Sequence, residues 1–183
     1  MIDPAPGILL ISDPFLKDPN FLRTVVFLCE HQEEGSFGFV LNRPYINTLD
    51  ELIPELTGHA LPVFYGGPVQ KDTIHFLHQY PDEIPGGVEV IKDIYWGGEF
   101  DKVVELILGG KIDPDKIRFF IGYSGWSDGQ LEDEIKEKTW LTAEAIRNLV
   151  FHSKSDEVWK DSLRHLGGEF EMMINYPIDP QLN

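Results

Sequence analysis

The segment from Gly7 to Ser12 is an apolar run that stops at Asp13 and Pro14. A strand with one solvent-exposed face alternates apolar and polar residues, so an unbroken run indicates a strand buried on both faces. Proline ends such a strand because it has no N–H to donate to a sheet. A chain with this segment is therefore expected to pack layers on both sides of a sheet.

A second predicted strand runs from Phe21 to Cys29 and is rich in β-branched and aromatic residues. Turn-forming residues at 33–36 separate it from a third strand, Phe37 to Leu41, and this pattern predicts a hairpin. Short β-type segments bounded by proline and glycine follow at 62–65, 73–79, 88–91 and 117–123.

The clearest helical pattern lies at residues 100–108, where apolar side chains recur at the spacing of one helix face and stop at Gly109. A short helix is predicted from Thr48 and is limited by Pro54. A longer one is predicted from Ser127 to about Lys138, since Ser127 and Gln130 have capping-box spacing.

Two further helices are predicted at residues 142–151 and 156–166, followed by an extended tail at 169–183. Strands dominate the first half of the chain and helices the second, which favours an α+β fold over an alternating α/β fold. The sheet is expected to be mixed or antiparallel, in a single domain that spans residues 1–183.

Charge and cysteine content limit the classes of partner. The chain carries 31 Asp and Glu against 15 Lys and Arg, a formal net charge of −16, which repels nucleic acids and anionic membranes. The single cysteine, Cys29, cannot form an internal disulfide and is too little for a thiolate zinc site. We expect a cytoplasmic protein with no membrane span, no metal and no cofactor.

One group of candidate binding residues crowds the ends of the first hairpin. The turn at Asn42 and Arg43 follows a buried strand and presents an amide and a guanidinium, which can bind a carboxylate. A structural role is the alternative, with Arg43 paired to an acid such as Glu30. This group comprises Arg23, Glu30, His31, Asn42 and Arg43.

A second group lies at residues 122–130, where a buried strand is predicted to meet a capped helix. Its glycine spacing fits neither a dinucleotide-binding loop nor a P-loop, and Trp126 stands where a nucleophile elbow requires glycine. Backbone N–H groups at such a junction can bind an anion, but the carboxylates at 128 and 132–134 would repel it. The favoured alternative is a turn that packs its own aromatic side chains. The candidates in this group are Tyr123, Ser124, Trp126 and Gln130.

Two other interpretations are disfavoured. Cys29 and His31 with His75 and His78 suggest a metal site, but residues 75 and 78 of one strand face opposite sides of a sheet. The predicted helices at 142–151 and 156–166 have the length of a helix-turn-helix, but the second is too acidic to read DNA, which favours an ordinary αα-hairpin.

Several of these segments together resemble the YqgE/AlgH family of bacterial proteins. The stretches that carry the resemblance are Gly7–Pro14, Asp18–Phe21, Arg23–Val26, Glu30–His31, Gly38–Pro44, Tyr65–Val69, Gly122–Trp126, Gly129–Leu131 and Asp179–Asn183. The resemblance implies a cytosolic α+β domain whose bifurcated sheet curls into a pseudo-barrel with helices packed outside. Members are often labelled transcriptional regulators, and the family offers no established catalytic residues.

Three functional hypotheses follow. The first is a non-enzymatic binding or regulatory protein that acts through a protein or small-molecule partner. The second is an enzyme for a small carboxylate substrate, with His31 as acid or base, Glu30 orienting it and Arg43 holding the carboxylate. The third, a DNA-binding regulator, is disfavoured by charge. The site is expected where the Arg43 turn and the 122–130 segment share one opening.

Overall fold

The computed structural model describes residues 1–178, and the predicted tail residues 179–183 lie outside the described part. The strands are β1 Ile8–Ser12, β2 Val25–Gln32, β3 Gly35–Val40, β4 Val63–Tyr65, β5 Val69–His78, β6 Val88–Ile91, β7 Ile94–Trp96, β8 Ile117–Ser127 and β9 Trp140–Glu144. The α-helices are α1 Leu49–Leu52, α2 Phe100–Leu108, α3 Gln130–Lys136, α4 Arg147–Val150 and α5 Val158–Leu166.

The strands form one sheet in the order β6-β7-β5-β8-β3-β2-β1-β9, and β4 joins it as a branch on β8. All neighbours along this order are antiparallel, whereas β4 runs parallel to β8. The fold is thus a mixed α+β domain with a largely antiparallel sheet, as predicted.

The apolar run of β1 is unbroken because both faces of this strand are buried. Leu9 and Ile11 pack into the core cluster that α5 covers, whereas Ile8 and Leu10 pack into a second cluster beside α3. Both faces of β1 are therefore buried, and both of its edges are hydrogen-bonded, to β2 and to β9. A third cluster, on the other side of β4, β5 and β8, packs against α1 and α2.

Strand β8 is the point where the sheet bifurcates. Its residues 119–121 pair with β4, and its residues 124–127 pair with β3, while β5 occupies its other edge. The backbones cross closely at this fork. A Cβ on Gly67, whose φ is +154°, would lie 2.2 Å from the Tyr123 carbonyl carbon, so only glycine fits there.

The sheet curls so strongly that distant strands meet. Phe37 on β3 and Trp96 on β7 have ring centroids 4.8 Å apart, although β8 and β5 lie between these strands in the sheet. At the sheet end, a Cβ on Gly7 would lie 2.3 Å from the Ile91 side chain of β6. The curl is a pseudo-barrel that stays open, since the strand order ends at β6 and β9.

Three predicted elements differ in the structure. Residues 142–151 do not form one helix, because 140–144 are strand β9 and only 147–150 are helical. The cause is a tertiary contact. Because β1 is buried, the backbone groups on both of its edges need hydrogen-bond partners, and residues 140–144 supply those of the second edge by forming a strand. The helix pair that suggested a helix-turn-helix is therefore not formed.

The strand predicted at 117–123 and the helix predicted from Ser127 also have different bounds in the structure. Strand β8 continues through Ser124 and Trp126 to Ser127, and α3 begins only at Gln130 after Gly129 in the left-handed region. Near the end of the described chain, Gly168–Asn175 is a 3-10 helix rather than an extended segment.

Candidate functional site

The inner side of the curled sheet opens into a cleft of about 620 Å³, a volume in the usual range for small-molecule sites. Strands β2, β3, β5, β7 and β8 and the turn after β2 form its walls. We call it the aromatic cleft, and its lining residues are Glu30, Gln32, Glu34, Gly35, Ser36, Phe37, Val69, His75, Trp96, Tyr123, Gly125 and Trp126.

Three half-buried rings meet in this cleft. Phe37 contacts Trp96 with centroids 4.8 Å apart and rings at 62°, and it contacts Tyr123 at 5.9 Å and 72°. Because the rings stand at steep angles to one another, they form walls rather than a stacked slab. Trp126 also borders the cleft, but its indole belongs to the core cluster on the other face of the sheet.

A β-bulge directs Glu30 into the aromatic cleft. The β2–β3 register passes from Leu28 opposite Gly38 to Glu30 opposite Phe37, so Cys29 is the extra residue. An inserted residue reverses the alternation that follows it, which places Glu30 on the same face as Phe37. No hydrogen bond or ion pair engages the Glu30 carboxylate within residues 1–178.

The cleft is acidic and carries no compensating cation. Glu30 and Glu34 line it, and no Lys or Arg of the described chain is among its lining residues. His75 adds no charge at neutral pH, because burial lowers the pKa of its imidazole below the ordinary value of 6.5. Its Nε2 is buried without a hydrogen-bond partner in the described residues.

His31 lies on the opposite face of β2 from Glu30. Its Nδ1 lies 2.7 Å from the Ser36 Oγ, and its Nε2 lies 3.3 Å from Glu132 of α3. It borders a shallow polar depression with Asp128 and Gly129 instead of the aromatic cleft. The expected acid–base pair of Glu30 and His31 is therefore not assembled.

Asn42 and Arg43 hold the chain between β1 and β2. The Asn42 side chain accepts a hydrogen bond from the Val25 N–H at 3.0 Å and donates one to the Arg23 carbonyl at 2.9 Å. Arg43 donates to the carbonyls of Pro19 and Leu22 at 3.1 and 2.8 Å. These contacts fit the structural alternative, although the partners of Arg43 are carbonyls rather than the expected acid.

Arg23 is likewise engaged by its own chain. It donates to the carbonyl of Tyr176, and its guanidinium lies 4.7 Å from the ring centroid of Trp159. Partial burial lowers its pKa.

The expectation of one shared opening is wrong. Gly35, at the start of β3, pairs with Ser127 of the second candidate group. Asn42 follows the opposite end of β3, so the two groups are about 20 Å apart along this strand. None of Arg23, Asn42 and Arg43 lines the aromatic cleft.

The polar residues of the second candidate group bind neighbouring parts of the chain. Ser124 is buried and donates from Oγ to the Gly66 carbonyl at 3.0 Å, which fastens the fork of the sheet. Gln130 accepts from the Ser127 N–H at 3.0 Å and donates to Glu134 at 2.9 Å. Tyr123 and Glu30 are thus the candidates whose side chains serve the cleft.

A smaller cavity of about 180 Å³ lies beside the other end of β8. The buried guanidinium of Arg118 borders it and donates to the Leu41 carbonyl at 3.1 Å and to the His152 carbonyl. It also lies 4.2 Å from the ring centroid of Phe64. Desolvation lowers the pKa of Arg118 to about 10. These contacts tie β8 to the segment after α4.

Metal ligands do not converge in the described chain. Within residues 1–178, no three His, Cys, Asp or Glu side chains are grouped closely enough to hold a metal ion. His75 and His78 face opposite sides of β5, as their spacing predicts, because they pair with Phe120 and Ile117 of different core clusters. None of the helices in this part of the chain has the length and apolarity to cross a bilayer.

Phe37, His75 and Trp96 line the aromatic cleft but are not among the binding residues predicted from the sequence. Each is an aromatic or imidazole side chain in a strand, and a core role is the usual interpretation of that pattern. One signal in the sequence does point to the cleft. Glu30 and Gln32 are two residues apart in β2, so two polar side chains lie on one face of a mostly buried strand.

The fold and the cleft define a class: a single α+β domain with an open, bifurcated sheet whose concave face carries an aromatic site. The sequence profile of the AlgH-like family, DUF179, matches residues 9–171. The chain belongs to this family, which confirms the resemblance found in its sequence.

Relatives and solved structures agree with this placement. A UPF0301 protein of Chlorobium limicola is 45% identical over 178 residues, which cover 97% of this chain and 95% of that protein. A UPF0301 protein of Cytophaga hutchinsonii is 40% identical, with 97% and 98% covered. The solution structure of the AlgH protein from Pseudomonas aeruginosa has a TM-score of 0.75 and 30% identity, covering 97% of this chain and 98% of that one.

A crystal structure of a Corynebacterium diphtheriae protein matches with a TM-score of 0.77 and 23% identity, covering 96% of this chain and 94% of that one. This second likeness supports the fold.

Proposed function

We propose that this chain is a non-enzymatic binding protein whose partner is a small organic molecule held in the aromatic cleft. The observation that carries the proposal is the convergence of three half-buried rings, Phe37, Trp96 and Tyr123, on one cavity of about 620 Å³. Concave sites lined by aromatic side chains with a few polar groups are where proteins bind small molecules.

The enzyme hypothesis receives less support. His31 and Glu30 lie on opposite faces of β2. Arg43 donates to two backbone carbonyls beyond the far end of β3, about 20 Å along that strand from the cleft. A general acid or base must reach the reacting group together with the residue that binds it. A regulatory role would operate through the binding of a ligand in the cleft.

We also propose a cytoplasmic location, since Cys29 is the single cysteine and forms no disulfide.

The test is a two-dimensional ¹H–¹⁵N NMR titration with small aromatic compounds that are neutral, cationic or anionic. At least one of them should shift the amides of Phe37, Trp96, Tyr123 and Gly125. Trp96→Leu should weaken that binding, whereas Phe15→Leu, which removes an exposed ring stacked on Tyr176, should not. Shifts that avoid these amides for every compound would overturn the proposal.

A further inference from the structure

We propose that the ligand of the aromatic cleft carries a positively charged amine or quaternary ammonium group. This inference rests on the proposed function and adds the chemical class of the ligand. It combines the charge of the cleft, the arrangement of its rings and the direction of Glu30.

The charge of the lining favours a cation. Two carboxylates, Glu30 and Glu34, border the cleft, and no Lys or Arg of the described chain does. His75 is neutral at pH 7 because burial lowers its pKa, so it does not repel a cation. The net charge of −16 on the whole chain acts in the same direction, since it attracts cations and repels anionic ligands.

The ring arrangement suits the same ligand. The face of an aromatic ring carries negative partial charge, so a cation is attracted to it, and walls of several rings recognise ammonium groups. Phe37 stands at 62° to Trp96 and at 72° to Tyr123, so ring faces around the cavity are turned in different directions. We expect a cation in the cleft to contact more than one of these rings.

Glu30 places a negative charge in the cleft because of the β-bulge at Cys29. The bulge at Cys29 sets the Glu30 side chain opposite Phe37, on the cleft face of β2. The Glu30 residue is half-buried, and its carboxylate has no hydrogen-bond or ion-pair partner within the described residues. A carboxylate without a partner gains from a bound cation, because their attraction strengthens as the bound ligand excludes water from the cleft.

The experiment compares three probes of matched size: 2-phenylethylamine, which is protonated at pH 7, neutral 2-phenylethanol, and anionic phenylacetate. Dissociation constants are measured by the NMR titration above on the full chain. We expect the amine to bind about threefold to thirtyfold more tightly than the alcohol, the range that a cation–π contact contributes. Phenylacetate should bind least.

Two variants, each of which removes one negative charge, show which carboxylate causes the preference for the amine. Glu30→Gln removes the carboxylate inside the cleft and should reduce the preference for the amine over the alcohol. Glu132→Gln removes one on the other face of the sheet, beside His31, and should leave the preference unchanged. Each variant first passes a check that its NMR spectrum remains that of the folded chain.

The outcomes are distinct. If the alcohol binds in the cleft as tightly as the amine, the inference is wrong and the proposed function stands. An equal loss of preference in both variants, or no loss in Glu30→Gln, overturns the assignment of the preference to Glu30, since charge elsewhere would then be sufficient. If none of the three probes shifts the cleft amides, the proposed function fails and the inference fails with it.

Discussion

Glu30 and His31 are consecutive in the chain, yet their side chains lie on opposite faces of β2, one in the aromatic cleft and the other beside Glu132 of α3. Alternation along a strand separates neighbours in this way, and the bulge at Cys29 decides which of the two enters the cleft. Polar residues that are adjacent in sequence therefore do not form one site here.

Arg43 provides a test of the division between structural and ligand-binding residues. Arg43→Met removes two hydrogen bonds to the carbonyls of Pro19 and Leu22, and bonds from a charged donor contribute about 1.5–3 kcal/mol each. Because the bond to Pro19 is exposed and the bond to Leu22 is only partly buried, we expect a loss at the lower end of the sum, about 3 kcal/mol, in the free energy of unfolding, measured by urea denaturation. The affinity of the cleft for 2-phenylethylamine should not change. A tenfold weaker affinity with normal stability would assign Arg43 to the site.

The two glycines at 67 and 125 should respond in opposite ways to alanine. In Gly67→Ala the new methyl group meets the Tyr123 backbone at 2.2 Å, so we expect a loss of more than about 3 kcal/mol in stability. In Gly125→Ala its nearest neighbours are the Tyr123 ring at 3.5 Å and Val69 at 3.8 Å, ordinary contacts between walls of the cleft.

Gly125→Ala should therefore fold normally and bind cleft ligands more weakly, because the methyl group occupies part of the cavity. Thermal denaturation and the NMR titration check the two effects separately. Equal melting temperatures for the two variants would contradict the close approach at the fork of the sheet.

Glu134 connects Trp126 of β8 with Trp140 of β9. Its Oε2 accepts hydrogen bonds from the indole N–H of Trp126 at 2.9 Å and of Trp140 at 2.8 Å. Both indoles are almost fully buried, so Glu134→Ala leaves two donors unsatisfied at about 1–3 kcal/mol each. We expect a loss of about 2–6 kcal/mol in the free energy of unfolding.

The matched control for this prediction is Glu137→Ala, an exposed position on the turn that follows α3. It should change the stability by no more than about 0.5 kcal/mol. If the two variants are equally stable in urea, the indole contacts do not contribute to folding.

The sequence predicts the layered fold because the relevant signals are local. The apolar run of β1 and the helical spacing of α2 follow from the alternation of side chains within one element, and both are confirmed. Strand β9 could not be predicted in this way. Its strand conformation depends on pairing with β1, which is about 130 residues earlier in the chain.

The candidate site was predicted only in part, for a similar reason. Tyr123 and Glu30 were identified, but Trp96 enters the cleft because the curl of the sheet brings β7 against β3. Curl is a property of the whole sheet, so no short sequence pattern contains it. The β-bulge at Cys29 is equally hidden, since one inserted residue is visible only when the partner strand is known.

His78 makes the stability of the chain depend on pH. Its ring is buried, its Nδ1 accepts from the Tyr80 N–H at 3.1 Å, and its Nε2 donates to the Gly97 carbonyl at 2.8 Å. This arrangement requires the neutral imidazole. Burial lowers the pKa of His78 from its ordinary 6.5, more than Gly97 and Glu83 raise it. Burial also lowers the pKa of His75.

A lowered pKa means that the unfolded chain binds more protons than the folded chain at pH values just below 6.5. The free energy of unfolding should therefore be highest above this value and should fall as the pH decreases through the lowered pKa. Urea denaturation at pH 7.5, 6.5 and 5.5 measures the slope. His78→Gln should reduce it, because the group that gains the proton on unfolding is gone. A stability that is constant or increases towards pH 5.5 would contradict the neutral, buried state of these histidines.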